Sequence, residues 1–270
     1  MMNGKKSLLA LLTGAPIGCL GGLIGLGGAE FRLPVLMGLF KYSARQAVPL
    51  NLAVSLITLL SSLVFRLPNA PLNQLVIHIP VILSLIVGGM IGAYKGAQYS
   101  KHLSEQALEK VILILLIGIG LLLITESFYP VVTGGIPMPV LLSFVVGVAL
   151  GLGIGIVSSL LGVAGGELII PTLILVYGLD IKIAGTASII ISLPTVLIGL
   201  LRHRSNGAFS DNQEVRTLVL PMGIGSIIGS FIGGALIVYV SSGVLKLVLG
   251  TILIISAVKM YLKSKRKHSI

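Results

Sequence analysis

Charge is what this chain has least of. Only 10% of its 270 residues are charged and only 8 are acidic, against 55% hydrophobic residues and a mean hydropathy of +1.09. Soluble domains carry about a quarter charged residues. A water-soluble core of this size cannot hide so much apolar surface, so lipid must be the solvent. Cysteine is nearly missing as well. Cys19 stands alone, which excludes an intramolecular disulfide and a cysteine-based metal site. Tryptophan is absent and aromatics make up 5%. The net charge of +11 therefore comes without the basic stripe or stacking residues of a nucleic-acid binder, and no nucleic acid is expected as a partner. His78, His102, His203 and His268 lack metal-ligand spacing, and there is no HExxH, GxSxG or P-loop. Neither a metal nor a cofactor is expected, and nothing argues for an enzyme.

Long apolar runs fill the space. Val111–Ile124 and Val140–Leu161 contain no charge at all, and a helix needs roughly 20 apolar residues to cross a bilayer. Lys5 and Lys6 followed by an apolar run look like a signal peptide. No good small-residue cleavage site follows, so the run reads as a first membrane helix that stays attached.

The chain repeats itself. A shift of 137 residues lays Gly14, Gly18, Gly25, Gly28, Glu30, Pro34 and Leu36 on Gly151, Gly155, Gly162, Gly165, Glu167, Pro171 and Leu173. The match continues without a gap through Ala47/Ala184, Ser55/Ser192, Thr58/Thr195 and Leu63/Leu200. A four-residue insertion then brings Pro80 onto Pro221. This is a tandem duplication. Apolar runs and their breakers predict an all-α fold with helices near 7–24, 30–40, 44–65, 74–97 and 106–125. The second copy predicts 140–161, 167–178, 183–201, 215–240 and 243–261. The expected division is a first repeat over 1–128, a linker over 129–139, a second repeat over 140–262 and a basic tail over 263–270.

Lys and Arg set the orientation. With a cytoplasmic N-terminus and segments crossing in order, fifteen of them fall on the cytoplasmic side. Only Arg66, Lys182 and Lys246 fall outside, and Arg32 lies within a segment. Both termini are then cytoplasmic in a multi-pass inner (plasma) membrane protein. An odd number of segments per copy turns the second copy upside down, the inverted-repeat plan of many secondary transporters. The segment 30–40 covers only about 16 Å at 1.5 Å per residue. It can be half of a re-entrant hairpin or a short crossing, and the topology stays odd either way.

Two segments carry the chemistry: GLGGAEFRLP (25–34) and GVAGGELIIP (162–171). Gly25, Gly27, Gly28, Gly162, Gly165 and Gly166 let a helix stop inside the membrane, which is tolerated only beside protein or a wet cavity. Pro34 and Pro171 are expected in the first turn of the following helix. The N-terminus of a half-helix at depth favours an anion. Glu30 and Glu167 occupy equivalent positions, and a charge at that depth is costly. Each either takes up a proton during transport or caps the glycine turn. Arg32, whose mate is Ile169, meets an anionic substrate, snorkels or pairs with a glutamate. Asn51, Ser55 and Thr58 on the third helix, matched by Ser188, Ser192 and Thr195 with Thr186 nearby, lie on one face. That face lines a pathway or glues helices together. The glycine series 88-92-96, 147-151-155 and 225-229-233 reads as small-xxx-small packing, within one chain or between copies in a homo-oligomer.

At the two Gly-Glu-Pro segments the chain resembles the sulfite and organosulfonate exporter family of the TauE/SafE type. The resemblance covers length, duplicated halves and a GxGGxxxxxP-like opening to each half. GVAGGELIIP is the closer match, while the first copy has Ala29 where a third glycine is common. It implies a bacterial or archaeal membrane carrier for sulfite, thiosulfate or organosulfonates. The site it implies is the two signature segments plus the polar face of the third helices. The competing readings are an anion channel without gradient coupling and a membrane scaffold without flux.

Overall fold

The computed structural model describes residues 2–70, 72–99, 105–128, 135–205 and 212–267, and all its regular structure is helical. The linker's 129–134, the loop residues 206–211 and the tail's 268–270 lie outside the described residues. The first half contains α1 (Met2–Ile24), α2 (Ala29–Gly38), α3 (Ala44–Arg66), α4 (Leu72–Ile77), α5 (Ile79–Tyr99) and α6 (Glu105–Phe128). The second contains α7 (Val140–Leu161), α8 (Gly166–Leu175), α9 (Ile181–Ser205), α10 (Asn212–Glu214), α11 (Leu220–Leu236) and α12 (Ser242–Lys267). The expected boundaries hold within a few residues, except that α12 carries the helix through most of the basic tail.

Six helices are long and apolar enough to cross a membrane among the described residues: α1, α3, α5, α7, α9 and the stretch Val215–Leu236. Their outward faces carry bare large apolar groups such as Leu12, Val64, Val140, Leu141 and Phe231. So much exposed hydrocarbon marks a membrane partner rather than water. α2 and α8 are ten residues each, about 15 Å at 1.5 Å per residue. That is half the roughly 30 Å of a bilayer core.

Prolines shape the fourth helix of each half. Pro80 follows the one-residue interruption between α4 and α5 at His78. Pro221 follows a π-helical turn, Val215–Val219, that widens the entry to α11. A proline has no N–H for the carbonyl four residues back. For Pro221 that carbonyl is Thr217, and Ser7 Oγ donates to it instead at 3.1 Å.

The two halves interlock through two equivalent pairs, each joining the first helix of one half to the fourth of the other. α1 packs on α11, and α5 packs on α7. In the first pair Gly14, Gly18 and Gly22 face Met222, Ser226 and Ser230, while Gly225, Gly229 and Gly233 face Leu11, Ala15 and Cys19. In the second, Gly88, Gly92 and Gly96 face Val148, Leu152 and Ile156. A Cβ on most of these glycines would strike the neighbouring backbone, so they bring two helices together at backbone contact. The glycine series thus packs within the chain. Equivalent helices meet head to tail: in α3 and α9, Arg66 lies beside Lys182 and Thr186 while Leu52 lies beside Gly199. In α6 and α12, Gly120 meets Gly250 and Ser127 Oγ donates to the Gly243 carbonyl at 2.8 Å. Both third helices are capped at equivalent residues. Ser43 forms a capping box with Gln46, and Asp180 accepts from the Lys182 N–H at 2.8 Å.

Candidate functional site

Between α1 and α2, and again between α7 and α8, the helix stops. Gly25 and Gly28 have φ of 96° and 68°, and their mates Gly162 and Gly165 have 67° and 80°. Only glycine adopts this left-handed backbone without cost, so the same four-residue break forms twice. Pro34 and Pro171 do not sit in a first turn as expected. Each is the sixth residue of a continuous ten-residue helix. Their effect is local: lacking an N–H, they cannot bond the carbonyls of Glu30 and Glu167, four residues back.

The two breaks touch. A Cβ on Gly27 would stand 2.5 Å from the Cβ of Ala164, its own repeat mate. Leu26 is fully buried against Gly166, and the Gly185 backbone of α9 abuts Gly25. Asn51 ties the breaks together, since its Nδ2 donates to the Ala29 carbonyl at 3.0 Å and the Gly162 carbonyl at 2.9 Å. The carboxyl groups of Glu30 and Glu167 come within hydrogen-bonding reach of each other. A bond between two carboxyls needs a proton on one of them. Oε1 of each glutamate is buried with no protein partner. Gly28 and Gly165 stand at the N-caps of α2 and α8 and have no side chain with which to cap them.

Arg32 is fully buried in the field of Glu30. Its guanidinium donates to Ser55 Oγ at 2.8 Å, Thr58 Oγ1 at 2.9 Å, Asn51 Oδ1 at 3.3 Å and the Gly27 carbonyl at 3.3 Å. The polar face expected on α3 is therefore real, and in this half an arginine fills it. The other half is different. Ile169 replaces the arginine, and Ser188, Ser192, Ser158 and Ser159 are buried with hydroxyls that no protein group satisfies. Buried hydroxyls without a protein partner are rare, and four of them give the second half a polar lining. A cavity touching Ser158, Ala164, Ile169 and Thr195 has room for about one water molecule.

Thr186 stands apart from this cluster. Its Oγ1 accepts from Arg66 Nε at 3.2 Å near the far end of α3. Ser158, Ser159 and Arg66 were not among the expected site residues. The two serines could have been read from their place just before Gly162, but Arg66 looked like an ordinary loop cation. Among the described residues no group of three His, Cys, Asp or Glu could hold a metal ion.

A break of this kind, lined by serines and a glutamate, falls inside a recognised sequence family. Residues 147–270 match the sulfite exporter TauE/SafE family. The TauE/SafE match starts within α7 and takes in GVAGGELIIP and the rest of the second copy. With six membrane-length helices, it supports a multi-pass membrane transport protein. No curated protein and no solved structure gives a significant match.

Proposed function

We propose that the protein is a secondary transporter that exports small anions, with sulfite, thiosulfate and organosulfonates as the substrate class. Ten membrane segments form two inverted five-segment copies, and these rock about the point where the breaks touch. The supporting observation is that contact: Gly27 on Ala164, with Glu30 facing Glu167 and Arg32 buried beside them. The head-to-tail pairing of α3 with α9 and of α6 with α12 supports inversion, because repeat mates related by an in-plane two-fold must run antiparallel. The TauE/SafE match covers the second copy, and the duplication carries it to the first. On this reading the protein lies in a plasma membrane with both termini in the cytoplasm, which the Lys and Arg bias supports.

Charge in the cluster supplies coupling. With both glutamates ionised, Glu30, Glu167 and Arg32 carry one net negative charge and repel an anion. One proton makes the cluster neutral, and a second makes it positive. An anion at the α8 N-terminus, held by Ser158, Ser188 and Ser192, is favourable only once the carboxyl pair is protonated, so anion binding is linked to protonation of the pair. The closed cavity holds about one water, so a sulfite-sized anion requires the halves to part.

The test is flux of labelled sulfite and thiosulfate in proteoliposomes with imposed pH gradients. Saturable, gradient-driven accumulation that collapses in Glu30→Gln and Glu167→Gln is expected. Proton-driven flux surviving in both single variants and the double variant would refute the coupling. An absence of flux for every sulfur oxyanion in folded protein would refute the substrate class.

A further inference from the structure

A second cavity, of about 370 Å³, opens between the end of α3, the start of α9 and the end of α11. Exposed Gln74, Asp180 and Val238 stand at its rim, half-buried Lys182 in its wall, and buried Arg66 and Thr186 at its floor. Its size lies within the range of small-molecule sites. Arg66 is only 1% exposed. Its Nη1 donates to the Gly22 and Leu23 carbonyls at 3.0 and 3.1 Å, and its Nη2 to the Lys182 carbonyl at 2.9 Å. With Nε on Thr186, four of the five guanidinium donors are spent on neutral acceptors and none on a carboxylate. Asp180, the acid at this cavity, is engaged by the Lys182 N–H and by Ser242 Oγ at 2.7 Å.

From this arrangement we infer that the cavity is a second anion site, an antechamber that docks a sulfur oxyanion between Arg66 and Lys182 at the outer face. The inference rests on the transport reading for its ligand class. A buried guanidinium without an anionic partner is electrostatically incomplete. Here the residue lines a cavity large enough for a small oxyanion, with a second cation in the wall. Hydrogen bonds to the end of α1 explain why an arginine is rigid at this place, but they explain neither the cavity nor Lys182. The floor also leads inward. Gly185, against which Arg66 packs, touches the Ile24 carbonyl at the start of the first break.

The chain has no tryptophan, so Val238→Trp creates a single fluorescent reporter at the rim, and Gln74→Trp gives a second from the opposite wall. Each is titrated with sulfite at fixed ionic strength, with chloride as comparison. The expected result is a saturable change with sulfite. Lys182→Gln should raise its midpoint by about tenfold, the effect of one charge contact worth about 1.4 kcal/mol. Asp180→Asn, which keeps the helix cap, should lower the midpoint. No saturable response in either folded reporter, or a midpoint unmoved by both Lys182→Gln and Asp180→Asn, overturns the inference. A saturating reporter in protein that carries no anion flux would keep this site and defeat the transport reading; flux with two silent reporters would do the reverse.

Discussion

Arg32 gives the sharpest test of the charge cluster. Replacing it with methionine keeps much of the side-chain volume and removes the cation. Thr58 loses little, because its hydroxyl already donates to the Val54 carbonyl at 2.9 Å. Asn51 Oδ1 and the Gly27 carbonyl lose a donor, and a buried acceptor left unpaired costs about 1–3 kcal/mol. Glu30 loses the positive field that offsets its burial. Breaking a buried charge pair by removing one partner costs about 3–5 kcal/mol, so Arg32→Met should lose an amount in that range. Glu30→Gln keeps the side-chain volume and removes one of the two facing carboxyls, so alone it should change stability little. In the double variant Glu30 no longer leaves a carboxylate stranded by the loss of Arg32, and at least about 1 kcal/mol of the Arg32→Met loss should return. Reversible unfolding in mixed detergent and SDS micelles measures all four corners of the cycle. Additivity to within about 0.5 kcal/mol would show that Arg32 is a scaffold for α3 and no part of a charge cluster.

Other outcomes follow from the same contacts. Ser188→Ala and Ser192→Ala remove hydroxyls that lack protein partners, so stability should hold or rise by up to about 1–3 kcal/mol while the half-saturation for sulfite flux rises. Falling stability with unchanged flux would mean the hydroxyls are structural. Gly229→Ala drives a methyl into the Ala15 carbonyl and should cost about 1–3 kcal/mol by overpacking. Gly153→Ala meets nothing within 4 Å and should gain about 0.5–1 kcal/mol of helix propensity. The same micelle unfolding ranks them, and equal effects would contradict the α1–α11 backbone contact. Gly28→Ala combines a φ of 68° with a Cβ 2.5 Å from the Ile17 side chain, and should lose at least about 1–2 kcal/mol.

Much of this was legible in the chain because helix ends are local. Gly25, Gly28, Gly162 and Gly165 announce two breaks, and the 137-residue shift announces their equivalence. The glycine series announced close packing, but a period along one helix does not name its partner. That α1 joins the fourth membrane helix of the other half, and α5 the first, depends on three-dimensional interlocking that no window of sequence holds. Pro34 and Pro171 misled because proline is commonest in a first turn. At these positions the breaks are already made by glycine, and the helix runs through the proline at the expense of one backbone bond each. Arg66 misled for a different reason. Counting basic residues sorts them by side of the membrane and says nothing of depth, so a fully buried guanidinium was counted with loop lysines.

The difference between the copies matters more than their likeness. Two copies of the first-half pattern would place two arginines beside two glutamates, a balanced cluster with no reason to admit an anion. Two copies of the second-half pattern would leave two facing carboxyls with no cation to offset them, at a depth where each charge costs about 2.5–3.5 kcal/mol. With Arg32 in one half and Ile169 in the other, the first half holds the positive charge rigidly on Asn51, Ser55 and Thr58. The second half keeps Ser158, Ser188 and Ser192 unpartnered. On the proposed transport reading, one half of the duplicated site provides charge and the other provides hydrogen-bonding capacity. The swap Arg32→Ile with Ile169→Arg moves the guanidinium across the pseudo-two-fold. Ser188 takes the place of Asn51 there and has no amide to bridge the breaks, so the swapped protein should be less stable than the native one and carry less sulfite. Native-level flux from the swapped protein would show that the asymmetry is incidental.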